Sequence, residues 1–176
     1  LLFGGDRGLG PGGFGKTPLE EVSPVSFDLK LDERRASLAE VIAIDISGSM
    51  AATVGERTKL ELANEAAARA AELLGPSDLL GVEHVDTRVA WTVPLGPVDD
   101  KRAIDQAIRS MPVGGGGIIV PITLIEAYAA LDRAPVNLKH TLLFADGDDA
   151  EGVERGKPLA ADALLRGITT SVVALG

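Results

Sequence analysis

One six-residue stretch constrains this chain more than any other. Residues 41–46 read Val-Ile-Ala-Ile-Asp-Ile, apolar except for Asp45, and give way at once to Ser47, Gly48 and Ser49. A short apolar run closed by turn residues is what a β-strand covered on both faces requires. Such a strand belongs in the middle of a sheet, so the remaining sequence must supply a layer of structure for each face.

The rest of the chain has that form. Residues 58–74 are rich in Ala, Leu and Glu, with apolar positions at Leu60, Ala63, Ala67, Ala70, Ala71 and Leu74, and they stop at Gly75-Pro76. This is the pattern of a helix with one buried face. Residues 79–85 and 88–95 read as two strands joined by Asp86-Thr87, which is short enough for a hairpin. Helices are predicted over 99–111, where Asp99 and Asp100 suit the positive end of the helix dipole, and over 121–133, which opens on a proline. A buried-type strand at 138–145, a helix at 157–166 and a last strand at 168–175 complete the series. Strands alternating with helices imply an α/β fold: a doubly wound, Rossmann-like open sheet, mostly parallel with one antiparallel edge strand, and helices on both faces. Residues 1–37 are expected to be separate in kind, a Gly- and Pro-rich leader followed by a period-two edge strand at 25–31. The α/β domain is expected over 38–176.

Composition narrows the chemistry. The 176 residues contain no cysteine, which excludes thiol catalysis, Cys-ligated zinc, iron–sulfur clusters and disulfides. Two histidines, His84 and His140, stand in no metal-ligand or triad spacing. They read as packing or surface residues, and Trp91 as part of the packing. With 26 acidic against 17 basic residues, a net charge of −9 and six aromatic side chains, nucleic acid is not an expected partner. No apolar run reaches the roughly 20 residues that span a bilayer, and no secretory-type signal opens the chain. The piece itself is expected to be soluble. It begins at Leu1 rather than Met and stops as a strand ends, so it reads as part of something longer, with any membrane anchor outside it.

The chemistry concentrates where the central strand ends. Asp45, Ser47 and Ser49 form an Asp-x-Ser-x-Ser motif, and residues two apart in extended chain point the same way. One carboxylate and two hydroxyls therefore meet at one spot, an oxygen donor set suited to Mg²⁺ or Mn²⁺, with Gly48 allowing the chain to turn. The 138–145 strand ends in Asp146-Gly147, which places a second carboxylate at the same edge if the two strands are neighbours. In open α/β sheets, ligands bind beyond the carboxyl ends of the strands.

Asp-Ile-Ser-Gly-Ser-Met after an apolar strand, the glycine loop at 114–117 before a helix, and Asp146-Gly147 after a later strand together resemble the von Willebrand factor type A domain over about residues 38–176. The resemblance implies a metal-ion-dependent adhesion site, in which a divalent cation held by Asp45, Ser47, Ser49 and Asp146 binds an Asp or Glu of a protein partner. One loop departs from the family pattern. Where members commonly carry Gly-Gly-Gly-Thr, this chain has Gly115-Gly116-Gly117 followed by Ile118, so Gly117 occupies the threonine position and water must take the place of its hydroxyl. Thr123 lies too far along the following helix to substitute. The leader, from Gly4 to about Val25, is similar to the segment that precedes the type A domain in large bacterial membrane proteins, at the end of a glutamine-amidotransferase-like region. That likeness implies a membrane-anchored parent.

Other readings stand beside this one. Residues 10–17, Gly-Pro-Gly-Gly-Phe-Gly-Lys-Thr, satisfy the P-loop pattern. A P-loop needs a helix starting at the lysine, and Pro18 with Pro24 leaves no room for one. The dinucleotide-type spacing at residues 8–13 fails for the same reason. Asp45, Ser47 and Ser49 also suit a capped turn, and the acidic run Asp146, Asp148, Asp149, Glu151 suits a solvated loop. No nucleophile, general base and orienting group occur together, so catalysis is not expected. A metal-free structural scaffold is the alternative to the cation-dependent binding module.

Overall fold

The computed structural model describes residues 36–117, 119–146 and 150–175. The leader with its P-loop-like pattern, the strand expected at 25–31, Ile118, Asp148, Asp149 and the side chain of Glu151 lie outside the described residues. The elements run β1 (Leu38–Asp45), a 3-10 turn (Gly48–Ala51), β2 (Thr53–Val54), β3 (Arg57–Thr58), α1 (Lys59–Glu72), β4 (Leu79–Val85), β5 (Val89–Pro97), α2 (Lys101–Arg109), α3 (Val120–Arg133), β6 (Leu138–Ala145), α4 (Ala150–Leu165) and β7 (Ile168–Ala174).

The main sheet has the order β5-β4-β1-β6-β7. Strands β4, β1, β6 and β7 are parallel, and only the edge strand β5 is antiparallel. The apolar run thus lies in the central strand, and its period-two alternation sorts side chains between two cores. Ile42, Ile44 and Ile46 join Leu60, Ala63, Ala67, Ile108 and Phe144 on the face covered by α1 and α2. Ala39, Val41 and Ala43 join Leu124, Ala127, Leu131 and Leu143 on the face covered by α3, with Ala163 from α4. Burying each such Ile, Leu or Val contributes about 1.5–3 kcal/mol, so the central strand anchors both layers.

Local signals set the helix ends. Thr58 caps α1 in a full capping box: its hydroxyl accepts from Glu61 N at 3.1 Å, and the Glu61 carboxylate accepts from Thr58 N at 2.8 Å. Asp100 caps α2 through Ala103 N at 2.9 Å, and Pro121 stands in the first turn of α3. Two expectations need correction. The last helix starts at Ala150, not near 157, and runs through Pro158. Its early turns pack closely on α3, for a Cβ on Gly156 would lie 3.1 Å from both Leu124 and Val120. A two-stranded ribbon, β2–β3, also intervenes before α1, turning at Gly55 with φ +67°. Four residues of strand were too few to leave a periodicity.

Parallel register brings the ends of three strands level. Asp45 pairs with Val85 and Ile44 with Phe144, so the loops after β1, β4 and β6 share one edge. The strand order reverses direction at β1, which is where ligands bind in sheets of this kind.

Candidate functional site

At that edge the structure assembles the residues singled out by sequence. Asp45 is the last residue of β1 and is fully buried. Its Oδ1 accepts a hydrogen bond from the Ser47 backbone N–H at 2.7 Å. The other oxygen, Oδ2, is buried and has no hydrogen-bond partner among the described residues. The Ser47 and Ser49 hydroxyls lie 3.0 Å apart, as expected of residues two apart before the chain bends into its 3-10 turn. Buried Met50 holds that turn against the core. Asp146, just past β6, is also buried, and its charge is felt at Asp45. Burial pushes the Asp45 carboxyl above its ordinary pKa, and hydrogen bonds from Ser47 oppose the shift.

The glycine loop abuts this cluster through the backbone. Gly48 N donates to Gly116 O at 3.1 Å, and Gly114 N to Ile46 O at 2.6 Å. Two of its glycines are sterically required. A Cβ on Gly114 would sit 2.9 Å from Asp86 Oδ2, and one on Gly116 would sit 2.9 Å from the Thr87 backbone nitrogen. Gly117 differs, because among the described residues nothing lies within 4 Å of its Cβ position. Thr123 is buried, and its hydroxyl donates to Ile119 O within its own helix, so it supplies no ligand to the edge.

Lys59 is the residue that sequence reasoning missed. It opens α1, and its Nζ lies 3.5 Å from Asp146 Oδ2, with both side chains largely shielded from solvent. A signal was available, since a cation at the positive end of a helix dipole is unfavourable and needs a partner elsewhere. Asp86, at the end of β4, is spent locally: it accepts from the backbone of Arg88 and Thr87, and these bonds lower its pKa. The histidines pair with threonines of neighbouring strands. His84 Nδ1 pairs with Thr92 Oγ1 and His140 Nδ1 with Thr169 Oγ1, each at 2.7 Å.

The donors fit a hard cation in kind. They are oxygens only, two carboxylates and two hydroxyls, and a buried carboxylate oxygen without a partner is an unmet electrostatic need. Among the described residues no group of three or more His, Cys, Asp or Glu could hold a metal ion, so a cation here would depend on the hydroxyls and on water. Among the described residues no helix is long and apolar enough to cross a membrane.

Comparison with known proteins agrees with the architecture. A sequence model of the von Willebrand factor type A domain matches residues 41–148, more than half of the chain. A crystal structure of the conserved hypothetical protein BatB from Bacteroides thetaiotaomicron superposes with a TM-score of 0.68 at 22% identity, covering 78% of this chain and 66% of that one. An aerotolerance-related membrane protein from Bacteroides fragilis gives 0.69 at 20% identity, covering 80% and 68%. A von Willebrand factor type A protein from Catenulispora acidiphila gives 0.65 at 26% identity, covering 78% and 33%. This chain therefore spans about two thirds of the first two and one third of the last. The search of curated proteins found no match.

Proposed function

The chain belongs to the von Willebrand factor type A domain family, a family of protein-interaction modules, and on that footing we propose that its Asp45–Asp146 edge binds a protein partner through a divalent cation. Asp45, Ser47, Ser49 and Asp146 would hold Mg²⁺ or Mn²⁺. The cation would supply positive charge with coordination positions left open for an Asp or Glu of the partner. A net charge of −9 otherwise repels acidic surfaces, so the ion would decide which partners dock. The observation that carries this reading is Asp45 Oδ2, a fully buried carboxylate oxygen with no hydrogen-bond partner among the described residues, in an all-oxygen cluster. We read the domain as a binding module without catalytic activity. The membrane association named for the Bacteroides fragilis relative supports a membrane-anchored parent protein, and the amidotransferase-like context implied by the leader belongs to the same proposal.

A specific observation favours a second reading. The Lys59 ammonium already stands beside Asp146, and Gly117 brings no hydroxyl, so the edge has an internal counter-charge and could serve as a metal-free scaffold.

Thermal unfolding and calorimetry with Mg²⁺ and Mn²⁺ separate the two. A cation that binds only the folded state adds about 2.7 kcal/mol at a hundredfold excess over Kd. The wild type should gain this stabilisation and lose it in EDTA, and Asp45→Ala should not respond. A wild type indifferent to millimolar metal would leave the scaffold reading in place.

A further inference from the structure

On the face of the sheet covered by α3, away from the Asp45 edge, a groove of about 540 Å³ runs between the edge strand β5 and α3. Its walls are Leu79, Trp91 and Leu95 on the sheet side and Ala130 on the helix side, with Glu126 and Arg133 also lining it. The edge strand is built to open here. Its pairing with β4 shifts register between Leu80 and Val82 and again between Val82 and Glu83, and Pro94, within the shifted stretch, has no N–H to give to a ladder. Trp91 is held in place because Gly81 has no side chain: a Cβ there would come within 2.7 Å of the indole. The groove is therefore a formed feature with a fixed aromatic wall.

Charge gives it polarity. Glu126 and Arg133 are seven residues apart on α3, a rise of about 10 Å, so they cannot pair with each other. Among the described residues neither is in an ion pair, and the Arg133 Nε is anchored on Ala129 O at 2.8 Å. Behind the Glu126 end, whose acidity rests on Glu126 alone, stands a buried carboxyl group. Glu83 lies directly opposite Trp91 in the β4–β5 register, is fully buried, and has no hydrogen-bond partner for either oxygen. One end of the groove is thus acidic, the other basic, and the floor between is apolar. An extended chain advances about 3.3 Å per residue and turns alternate side chains to one face, so residues four apart, about 13 Å along the chain, place two long side chains on the groove side that can converge on the two charges.

We propose that this groove binds an extended peptide segment of a partner protein, one that carries Lys or Arg at the Glu126 end and, four residues away and so on the same face of the strand, Asp or Glu at the Arg133 end. The stem of the basic side chain lies along Trp91 and its head meets Glu126, while the apolar residue midway between the two charges, on the same face, fills the space against Leu95 and Ala130. The site is independent of the cation-binding edge.

Trp91 is the sole tryptophan of the chain, so its emission reports on the groove directly. The full chain in EDTA is titrated with the capped peptide Lys-Thr-Leu-Thr-Glu and with Gln-Thr-Leu-Thr-Gln, for the wild type, Glu126→Gln, Arg133→Gln and Asp45→Ala. The charged peptide should shift and saturate the Trp91 emission with a Kd on the order of 1 mM, and the neutral one should not. Each groove variant should weaken binding at least several-fold, and Asp45→Ala should leave it unchanged. An emission that stays flat overturns the proposal. So does binding indifferent to Glu126→Gln and Arg133→Gln, or an emission change that follows self-association in sedimentation, which would assign the groove to a second copy of the chain. Because no metal is present, failure here leaves the cation-dependent reading of the Asp45 edge standing.

Discussion

Asp45 and Glu83 are fully buried carboxylates on adjacent strands, and their surroundings differ in an instructive way. Asp45 ends its strand, where the chain turns and frees backbone N–H groups, and Ser47 N reaches Oδ1. Glu83 stands inside β4, where neighbouring strands engage the backbone groups in the ladder, and neither of its oxygens has a partner. Burial pushes its carboxyl up to about 8, and the nearby Glu126 charge adds to the shift. Burial raises both groups, and only the strand end provides polar groups to oppose it. The strand end thus gives a buried carboxylate backbone and hydroxyl partners that one within a strand lacks.

The sharpest way to break this contrast is a pH series on Glu83. Its folded-state pKa of about 8 exceeds the ordinary 4.5, so over that window the native state holds a proton that the unfolded chain has released. Stability should then fall as pH rises from about 4.5 through 8, by up to about 1.4 kcal/mol per unit. Glu83→Gln retains the shape without the titration. Urea unfolding at successive pH values should show that slope reduced in the variant, which should be the more stable protein at pH 8. Parallel profiles for the two proteins would mean that Glu83 is ionised in the fold and that the contrast with Asp45 is false.

A smaller effect is expected at Lys59, which tests whether the strand-end cluster is poised for a cation. With Nζ 3.5 Å from Asp146 Oδ2, the ammonium repels any ion entering between the carboxylates. Lys59→Gln should tighten Mg²⁺ binding about tenfold, or about 1.4 kcal/mol, and should lower the stability of the metal-free protein. Calorimetric titration measures the first and unfolding in EDTA the second. Equal Mg²⁺ affinity in both proteins would show that the lysine does not compete.

What could be read from the sequence follows the same physics as the contrast itself. The central strand, the hairpin after it and the Asp45-Ser47-Ser49 cluster were legible because apolar runs and turn residues are local signals, and the parallel sheet then brought Asp146 to the same edge. Other features depend on contacts distant in sequence. Glu83 looks like one polar residue in a strand until the sheet covers it. Trp91 was assigned to packing, and it does pack on Gly81, yet only the register shifts of β5 reveal the groove beside it. The early start of α4 was hidden because Pro158 reads as a first-turn residue, whereas tertiary packing at Gly156 extends the helix to either side of it.

The finest test of the strand-end cluster is Gly117→Thr. Adjacent glycines in one loop answer differently to the same question: a Cβ would collide with backbone at Gly116, crowd Ile46 O at 3.1 Å at Gly114, and meet nothing among the described residues at Gly117. Nor is Gly117 among the positive-φ glycines, which are Gly55 and Gly167 among the described residues. Against the described residues a threonine there meets neither steric nor backbone strain, so unfolding in EDTA should change by less than about 0.5 kcal/mol. If the open space beside Gly117 faces the cluster formed by Asp45, Ser47 and Ser49, the new hydroxyl replaces a water ligand and Mg²⁺ binding should tighten a few-fold. An unchanged Kd with unchanged stability would locate the open space outside the coordination shell. The cation would then rest on the loops after β1 and β6 alone, with the glycine loop serving only to shape the edge.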